Sequence, residues 1–329
     1  MVLLTGTAYG ISRWYALKHA DEPLQIGVTF IPSYARYFDL DPQQTMTAII
    51  DELGVTRLRL VTYWKVGEPV KDSYDFSEFD WQMKMAEEKG VKVSLAIGLR
   101  QPRWPECHAP TWAEQMPMEQ WSVELKDYMK AIIERYQTSP ALESYQLENE
   151  FFMDVFGICP DHSRERLIDE YNFVKSLDSE HPVIISRSNN WVGIPINEPQ
   201  PDQFGISVYK RVWDKTITKR YFEYPMPPWF YGFLAGAGEI VTGKDMIIHE
   251  LQAEAWLPES FAINDPNDIA EMEKSMTPDR LQKRIKYAAD SGIRTVDLWG
   301  AEWWYWQKEK LDRPELWQAA QNSINQLQN

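Results

Sequence analysis

The chain has 329 residues, 44% of them hydrophobic, which is enough for the core of one large domain or two ordinary ones. Its 49 Asp and Glu residues against 34 Lys and Arg give a net charge of −15, which argues against nucleic acid and anionic membranes as partners. No apolar stretch approaches the roughly twenty residues that cross a bilayer, so we expect no membrane span within the chain as given.

Short apolar, β-branched runs alternate with amphipathic helical stretches along the chain. The predicted strands cover residues 24–31, 56–62, 92–98, 144–148, 183–186, 203–208, 246–251 and 295–299. The predicted helices cover residues 42–53, 76–89, 118–136, 163–177, part of 229–242, 277–291 and 314–328. Asp41 caps the first of these helices and Gly54 follows it, whereas the Pro-rich segment 192–202 is barely helical. Eight β-then-α units favour a (β/α)8 TIM barrel over an open, doubly wound sheet.

The domain organisation predicted from this order is simple, because no low-complexity linker divides the chain. We expect a leading segment over 1–23 and one catalytic barrel domain over 24–329. The mildly apolar start contains no intact signal peptide. It fits either the remnant of a signal or anchor, or a segment that packs on the domain. Long segments follow the third, sixth and seventh strands, so we expect extended loops at the C-terminal face, where barrel enzymes build their sites.

The fourth predicted strand ends in a run of polar residues, Gln-Leu-Glu-Asn-Glu. A carboxylate on an apolar strand is costly unless it is paired or used. Gln146, Glu148 and Glu150 share one face by alternation. Asn149 and Glu150 can both face the barrel mouth only if the strand breaks or bulges there. A Glu150 that is simply solvated at the strand end is the alternative.

Two arginines on the second predicted strand offer partners for these acids. Arg57 and Arg59 lie on one face of the strand, and a guanidinium next to a carboxylate favours its ionised form. We expect Glu148 to pair with these arginines. For Arg59 a purely structural ion pair is the alternative to a role in a site.

The seventh predicted strand supplies a second candidate acid. Alternation favours Glu250 as the chemical group, whereas Glu254 and Trp256 lie in the following loop and are candidate substrate contacts. Tyr209 ends the sixth strand and could donate a hydrogen bond to the strand-seven carboxylate, the alternative being an ordinary packed aromatic. His249 is expected to point towards the helices as a packed core histidine.

The eighth predicted strand leads into Trp-Gly-Ala-Glu-Trp-Trp-Tyr-Trp, an unusual concentration of aromatic residues in a chain with fifteen Trp. Flat amphipathic rings stack well on the apolar faces of sugars. We therefore expect Trp299 and Trp303 to form a platform under a sugar ring. An aromatic core is the alternative.

Together these residues resemble the clan A retaining glycoside hydrolases, which are (β/α)8 barrels. In that group an Asn-Glu pair at the end of strand four supplies the acid/base, and a Glu at the end of strand seven is the nucleophile. Asn149-Glu150 and Glu250 match these elements. Arg59 matches a strand-two arginine that contacts the nucleophile, and Trp299 matches a strand-eight aromatic below the sugar.

A further segment strengthens this resemblance. Trp64-Lys-Val-Gly-Glu-Pro, followed by Tyr-Asp-Phe-Ser and Asp80, is similar to a segment of the same group, and Trp64 becomes a candidate substrate contact. The resemblance implies cleavage of β-glycosidic bonds in an oligo- or polysaccharide by double displacement, without a cofactor. The loops after strands three, six and seven match no single family, so the sugar stays open.

The two cysteines of the chain lie in loops after adjacent strands. Cys107 follows the third predicted strand and Cys159 the fourth, so we expect a disulfide between them, with two free thiols as the alternative. A bridge would favour an extracytoplasmic or secreted location, and free thiols a cytoplasmic one.

Three other functions fit the sequence less well. A phosphate-handling barrel would carry Gly-rich loops after strands seven and eight, but those loops are acidic and aromatic here. The five histidines include no His-x-His strand pair, which argues against a metal hydrolase and predicts no metal. A non-catalytic carbohydrate-binding barrel would need the tryptophans but not both Glu150 and Glu250.

Overall fold

The computed structural model describes residues 2–154, 156–188 and 198–328, with eight parallel strands closed into a barrel. The predicted (β/α)8 class is therefore confirmed. The order around the barrel is β1-β10-β9-β6-β5-β4-β3-β2. A two-stranded hairpin, β7–β8, follows β6, so the seventh and eighth predicted strands are β9 and β10. The strands are β1 Gln25–Phe30, β2 Arg57–Val61, β3 Lys92–Ile97, β4 Leu142–Leu147, β5 Val183–Ser188, β6 Gln203–Val208, β7 Arg211–Trp213, β8 Tyr221–Glu223, β9 Met246–Gln252 and β10 Thr295–Trp299.

All seven predicted helices are present, with ends that differ by at most a few residues. The α-helices are α1 Val2–Lys18, α2 Pro32–Tyr37, α3 Pro42–Leu53, α4 Trp64–Gly67, α5 Ser77–Lys89, α6 Met118–Tyr136, α7 Arg164–Leu177, α8 Pro228–Thr242, α9 Ile269–Ser275, α10 Pro278–Ala289, α11 Ala301–Leu311 and α12 Glu315–Gln328. The predicted cap of α3 is confirmed: the Asp41 side chain accepts from the backbone of Gln44, and Gly54 ends the helix in the left-handed region. Most of the Pro-rich segment 192–202 lies outside the described residues.

Helix α1, within the predicted leading segment, was not anticipated as a helix. It packs against α8, where two glycines permit close approach: a Cβ on Gly236 would lie 2.9 Å from Ile11, and one on Gly232 would lie 2.6 Å from Ser12. The Tyr15 hydroxyl donates to Asp245, just before β9. A boundary between leading segment and barrel domain at residue 23 stays a prediction.

The chain forms two compact units, one of residues 1–57 with 207–329 and one of residues 58–206. In the first, β10 lies between β1 and β9, and residues such as Val28 and Ile248 are fully buried. In the second, β4 lies between β3 and β5, with Val93 and Leu147 fully buried. No helix in the described part of the chain is long and apolar enough to cross a membrane.

Candidate active site

The polar run after β4 leaves the regular strand at the point where the sequence predicted a break. The strand ends at Leu147, and both Glu148 and Glu150 have positive φ, at 56° and 44°. Such values are uncommon for residues with a side chain. The amide of Asn149 donates to the Arg100 carbonyl at 2.7 Å. Since the strand alternation stops here, the side chains of Asn149 and Glu150 need not point to opposite faces.

Asn149 is held by a buried polar network inside the unit of residues 58–206. The Arg59 guanidinium is fully buried and donates to Gln146 at 2.7 Å and to the Asn149 side-chain oxygen at 2.8 Å. Gln146 donates to that oxygen as well, at 3.0 Å. The Asn149 amide nitrogen donates in turn to Glu106 at 3.1 Å. The orientation of Asn149 is therefore fixed from both ends of its side-chain amide.

Glu150 is 7% exposed, and its backbone amide donates to the Ser186 hydroxyl at 3.1 Å. That hydroxyl also accepts from Gln146 at 3.0 Å. The Glu150 backbone is thus tied to the same network that orients Asn149. This environment differs from that of a Glu150 solvated at a free strand end.

The expectation that Glu148 pairs with the strand-two arginines is wrong. Its two carboxylate oxygens accept from the backbone amides of Leu99 and Arg100, at 2.6 and 2.9 Å. Its cationic partner is Arg166 of α7, at 3.1 Å. Gly98 makes this possible, because a Cβ there would lie 2.5 Å from the Glu148 carboxylate. Glu148 is a structural acid that fixes the ends of β3 and β4.

Arg166 serves more than one buried acid. It also pairs with Glu170 at 2.6 Å and with Asp161 at 2.9 Å. Burial, together with the charge of Glu148, raises the pKa of Glu170 to about 8 against the favourable effect of Arg166. One guanidinium therefore serves a cluster in which burial favours the protonated form of Glu170.

Cys107 and Cys159 are joined by a disulfide that links the loop after β3 to the loop after β4. Arg100 reinforces the same junction, since its side chain donates to the Asn149 carbonyl at 2.7 Å and to the Phe156 carbonyl at 2.9 Å. The loop after β3 and the loop after β4, which contains Glu150, are thus held together by covalent and polar links.

Trp64 lies away from any accessible surface. It is fully buried, its indole N–H donates to Glu68 at 2.7 Å, and its ring meets the edge of Trp112. The segment that resembled a substrate-binding motif therefore folds as packing around α4. A direct contact between Trp64 and a substrate is not compatible with this burial.

Glu250 lies near the end of β9, in the unit of residues 1–57 and 207–329. It is 6% exposed and accepts a hydrogen bond from the Tyr209 hydroxyl just past β6. Trp256 packs edge-on against Tyr209 with ring centres 5.3 Å apart, and it keeps part of its surface exposed. The structure thus brings together three of the predicted site residues.

The side-chain directions in β9 do not follow simple alternation. The pairing with β10 shifts between Val296 and Leu298, so that β9 has one extra residue in this stretch. His249 does not point towards the helices as expected. It is fully buried with Nε2 3.7 Å from Asp297 of β10. The irregularity therefore accounts for the direction of the His249 side chain.

Glu254 is anchored by two donors on different elements. The Tyr34 hydroxyl donates to one carboxylate oxygen at 3.0 Å, and the Trp299 indole N–H donates to the other at 2.8 Å. Gly300 has a φ of 119°, and a Cβ there would overlap the Cβ of Glu254. Glu254 thus positions the Trp299 ring.

Trp303 is not part of a platform. Gly300 ends the strand run and α11 begins at Ala301, so the aromatic residues after Trp299 become a helix. Trp303 and Trp304 are fully buried, and Trp304 donates to the Ala253 carbonyl at 2.7 Å. The predicted aromatic platform is reduced to Trp299.

A buried ion pair in the barrel was missed by the sequence analysis. Arg57 of β2 lies 3.1 Å from Asp297 of β10. A Cβ on Gly27, which pairs with Asp297 in the parallel register, would lie 2.6 Å from that carboxylate. The sequence does contain a sign of it, because Asp297 is the only charged residue in the strand Thr-Val-Asp-Leu-Trp. The described residues include no group of three or more His, Cys, Asp or Glu arranged to hold a metal ion.

The sequence matches no protein-family model and no curated protein. Its fold is similar to several solved structures. A β-galactosidase from the Antarctic haloarchaeon Halorubrum lacusprofundi has a TM-score of 0.62 at 13% identity, covering 92% of this chain and 58% of that one. Xylanase 10B from Thermotoga petrophila, in complex with xylobiose, has a TM-score of 0.59 at 14% identity, covering 94% and 97%. Endo-glycoceramidase II from Rhodococcus sp., as a lactosyl-enzyme intermediate, has a TM-score of 0.52 at 13% identity, covering 85% and 73%.

At these identities the similarity concerns the fold. The chain spans little more than half the length of the first of these proteins. The resemblance to barrel glycoside hydrolases drawn from the motifs is confirmed at that level: the structural neighbours are glycosidases, and this chain shares their eight-stranded parallel barrel.

Proposed function

We propose that the protein is a retaining glycoside hydrolase that cleaves β-glycosidic bonds in an oligo- or polysaccharide. The observation that carries the proposal is the Tyr209–Glu250 pair, a buried carboxylate held by a hydroxyl donor near the end of a barrel strand. Asn149-Glu150 follows another strand of the same parallel barrel. Barrel enzymes build their active sites from such strand ends.

Each acid has a distinct role in this reaction. Glu250, oriented by Tyr209, attacks the anomeric carbon to form a glycosyl-enzyme ester while the glycosidic C–O bond breaks. Glu150 donates a proton to the departing oxygen. In the second half of the reaction Glu150 removes a proton from water, which attacks the anomeric carbon and releases Glu250.

Asn149, Trp299 and Trp256 would bind the sugar. Arg59 and Gln146 both donate to the Asn149 oxygen, and one amide hydrogen goes to Glu106. The second amide hydrogen is therefore the one to meet the sugar 2-hydroxyl, a contact that strengthens in the transition state. Trp299, fixed by Glu254, and Trp256 would offer ring faces to the sugar. Trp64 and Trp303 have no such role in the proposal because both are fully buried.

The structural neighbours support this chemistry by what their own structures contain. The Rhodococcus endo-glycoceramidase II was captured as a lactosyl-enzyme intermediate, which is the type of covalent species that double displacement requires. The Thermotoga xylanase was captured with xylobiose.

The test combines a substrate screen with covalent trapping. Purified protein is screened against aryl β-glycosides, and the best sugar is then supplied as its 2-deoxy-2-fluoro derivative, which slows breakdown of the ester. We expect the intact mass to rise by one fluorosugar, the label to map to Glu250, and the first product to keep the β configuration.

The Glu250→Gln variant is the control and should not be labelled. A label on Glu254 would reassign the nucleophile, and an inverted first product would contradict double displacement. Saturable sugar binding without turnover by the wild type would favour the non-catalytic carbohydrate-binding barrel.

A further inference from the structure

A groove of about 570 Å³ lies between the β7–β8 hairpin and the loop that follows β9. We call it the basic groove, because its lining includes three cationic and three aromatic side chains. These are Arg211, Arg220, Lys274, Trp213, Tyr221 and Phe261. All belong to the unit of residues 1–57 and 207–329.

The hairpin wall of the basic groove is preformed. Trp213 pairs directly with Tyr221, and Arg211 is two residues from Trp213, so alternation puts the three side chains on one face. The Trp213 and Tyr221 rings meet edge to face at 5.2 Å, and the Arg211 guanidinium lies 5.3 Å from the centre of the Tyr221 ring. The Tyr221 hydroxyl donates to Glu271 at 3.0 Å, which anchors the wall to α9.

The charge of the basic groove is opposite to that of the chain. Arg220 is exposed and makes no ion pair with any residue in the described ranges. Arg211 lies 3.5 Å from Glu223, and Lys274 pairs with Glu271. The three cations thus face two carboxylates, Glu271 in the lining and Glu223 opposite Arg211 on the hairpin, which leaves one net positive charge in a protein whose net charge is −15. A neutral sugar would gain nothing from this excess of positive charge.

The basic groove is tied to the segment that carries the candidate nucleophile. The backbone amides of Lys210 and Arg211 both donate to the Gln252 side chain at 2.9 Å, and that side chain donates back to the Arg211 carbonyl at 2.6 Å. Gln252 lies two residues after Glu250, and Tyr209 directly precedes Lys210. The hairpin wall of the groove is therefore linked through Gln252 to the segments that carry the Tyr209–Glu250 pair.

We propose that the basic groove binds an acidic sugar unit of the substrate, one that carries a carboxylate or a sulfate ester. The inference rests on the proposed function, since it places this unit beside the sugar that Glu250 attacks. Arginine presents a planar fork of donors that matches such anions, and the Trp213 and Phe261 rings offer apolar surface to a sugar ring.

The test measures binding rather than turnover, so that it stands apart from the hydrolase assay. The full chain carrying Glu250→Gln is titrated by calorimetry with a β-1,4-linked glucose trimer, with its C6-oxidised counterpart of glucuronic acid, and with its 6-sulfated counterpart. We expect at least one anionic trimer to bind about tenfold or more tightly than the neutral trimer, a difference of about 1.4 kcal/mol. This preference should shrink as NaCl is raised.

Two further variants in the same background locate the effect. Arg220→Gln should weaken binding of the preferred anionic trimer about tenfold and leave the neutral trimer unchanged, because a hydrogen bond to a charged group is lost. Lys215→Gln is the matched control, since Lys215 lies in the same hairpin but is paired with exposed Glu259 outside the groove lining. It should change neither affinity more than about twofold.

Equal binding of all three trimers, or equal losses in Arg220→Gln and Lys215→Gln, would overturn the groove assignment even if the wild type hydrolyses neutral β-glycosides. Selective anion binding by a wild type that cleaves no glycoside would support the groove and end the hydrolase proposal.

Discussion

The ends of β4 and β9 each present two glutamates, but the two regions secure them differently. After β4, Glu148 is held by two backbone amides and by the Arg166 guanidinium. After β9, Glu254 is held by the hydroxyl of Tyr34 and the indole of Trp299. In each region one acid thus has donors fixed on both of its oxygens.

Fixed donors on both oxygens of a carboxylate indicate a structural role. A carboxylate whose oxygens are both bound by fixed donors is suited to hold loops or rings in place, because it would have to give up those bonds to react. Glu148 and Glu254 fit that description, whereas Glu150 and Glu250 are the acids proposed to do the chemistry. The comparison can be tested by removing one member of each pair.

The largest effect is expected from Glu250→Gln compared with Glu254→Gln. If Glu250 is the nucleophile, its amide cannot form the ester, and kcat should fall by about 10³-fold or more, at least about 4 kcal/mol in activation free energy. Glu254→Gln should act mainly on KM, because it loosens Trp299. Steady-state kinetics on the best aryl glycoside provide the measurement. Loss of kcat in Glu254→Gln with activity retained in Glu250→Gln would reverse the assignment.

These roles could be predicted from the sequence only in part. The strand and helix periods located every barrel strand, and the order of Asn149-Glu150 and Glu250 along the chain identified two candidate acids. The predicted partner of Glu148 was wrong. The observed partner, Arg166, comes from α7, and no local pattern reveals a contact between a strand end and a helix surface. No pattern in the sequence indicates the extra residue in β9, which redirects His249.

The prediction of a sugar platform from the aromatic run after β10 was wrong for another reason. Clustered tryptophans are typical of both a sugar platform and a buried helix, and the choice depends on the Gly300 turn that starts α11. Helix α1 was missed because its apolar residues follow no clear helical stripe. Both errors arise where tertiary packing, rather than local periodicity, decides the structure.

The second-largest effect is expected from removing Arg166, the cation that holds the β4 region. Arg166→Met should lower the free energy of unfolding by about 3–5 kcal/mol, because it leaves Glu148 and its neighbours buried without their cation. Chemical denaturation followed by fluorescence measures the change. Lys126→Met is the control, since it breaks a more exposed ion pair with Asp169 of the same helix and should cost about 0–1 kcal/mol. Similar losses in the two variants would mean that Arg166 is not the anchor of this region.

A smaller effect is expected from the donor to the candidate nucleophile. Tyr209→Phe removes one hydrogen bond to Glu250, worth about 1.5–3 kcal/mol for a charged acceptor, so kcat/KM should fall roughly 10- to 100-fold. Tyr287→Phe removes a hydroxyl that donates to the Met226 carbonyl in the same unit, and it should leave kcat/KM nearly unchanged. Unaltered kinetics in Tyr209→Phe would separate this tyrosine from the reaction.

The smallest effect at pH 5 is expected from Glu170→Gln, which tests whether the β4 region stores a proton. Burial raises the pKa of Glu170 from 4.5 to about 8, so the folded protein keeps a proton that the unfolded chain releases. The resulting stability is fully present below pH 4.5 and is lost as pH rises through about 8, with a slope of at most about 1.4 kcal/mol per pH unit. Glutamine mimics the protonated acid. The variant should therefore match the wild type within about 1 kcal/mol at pH 5 and become the more stable protein at pH 9.

Denaturation curves at pH 5, 7 and 9 provide the measurement, and Glu165→Gln, an exposed change in the same helix, is the control. A variant that loses stability equally at all three pH values would show that Glu170 is ionised beside Arg166. In that case Arg166 would serve three charged partners, Glu148, Asp161 and Glu170, and the contrast between the β4 and β9 regions would be larger.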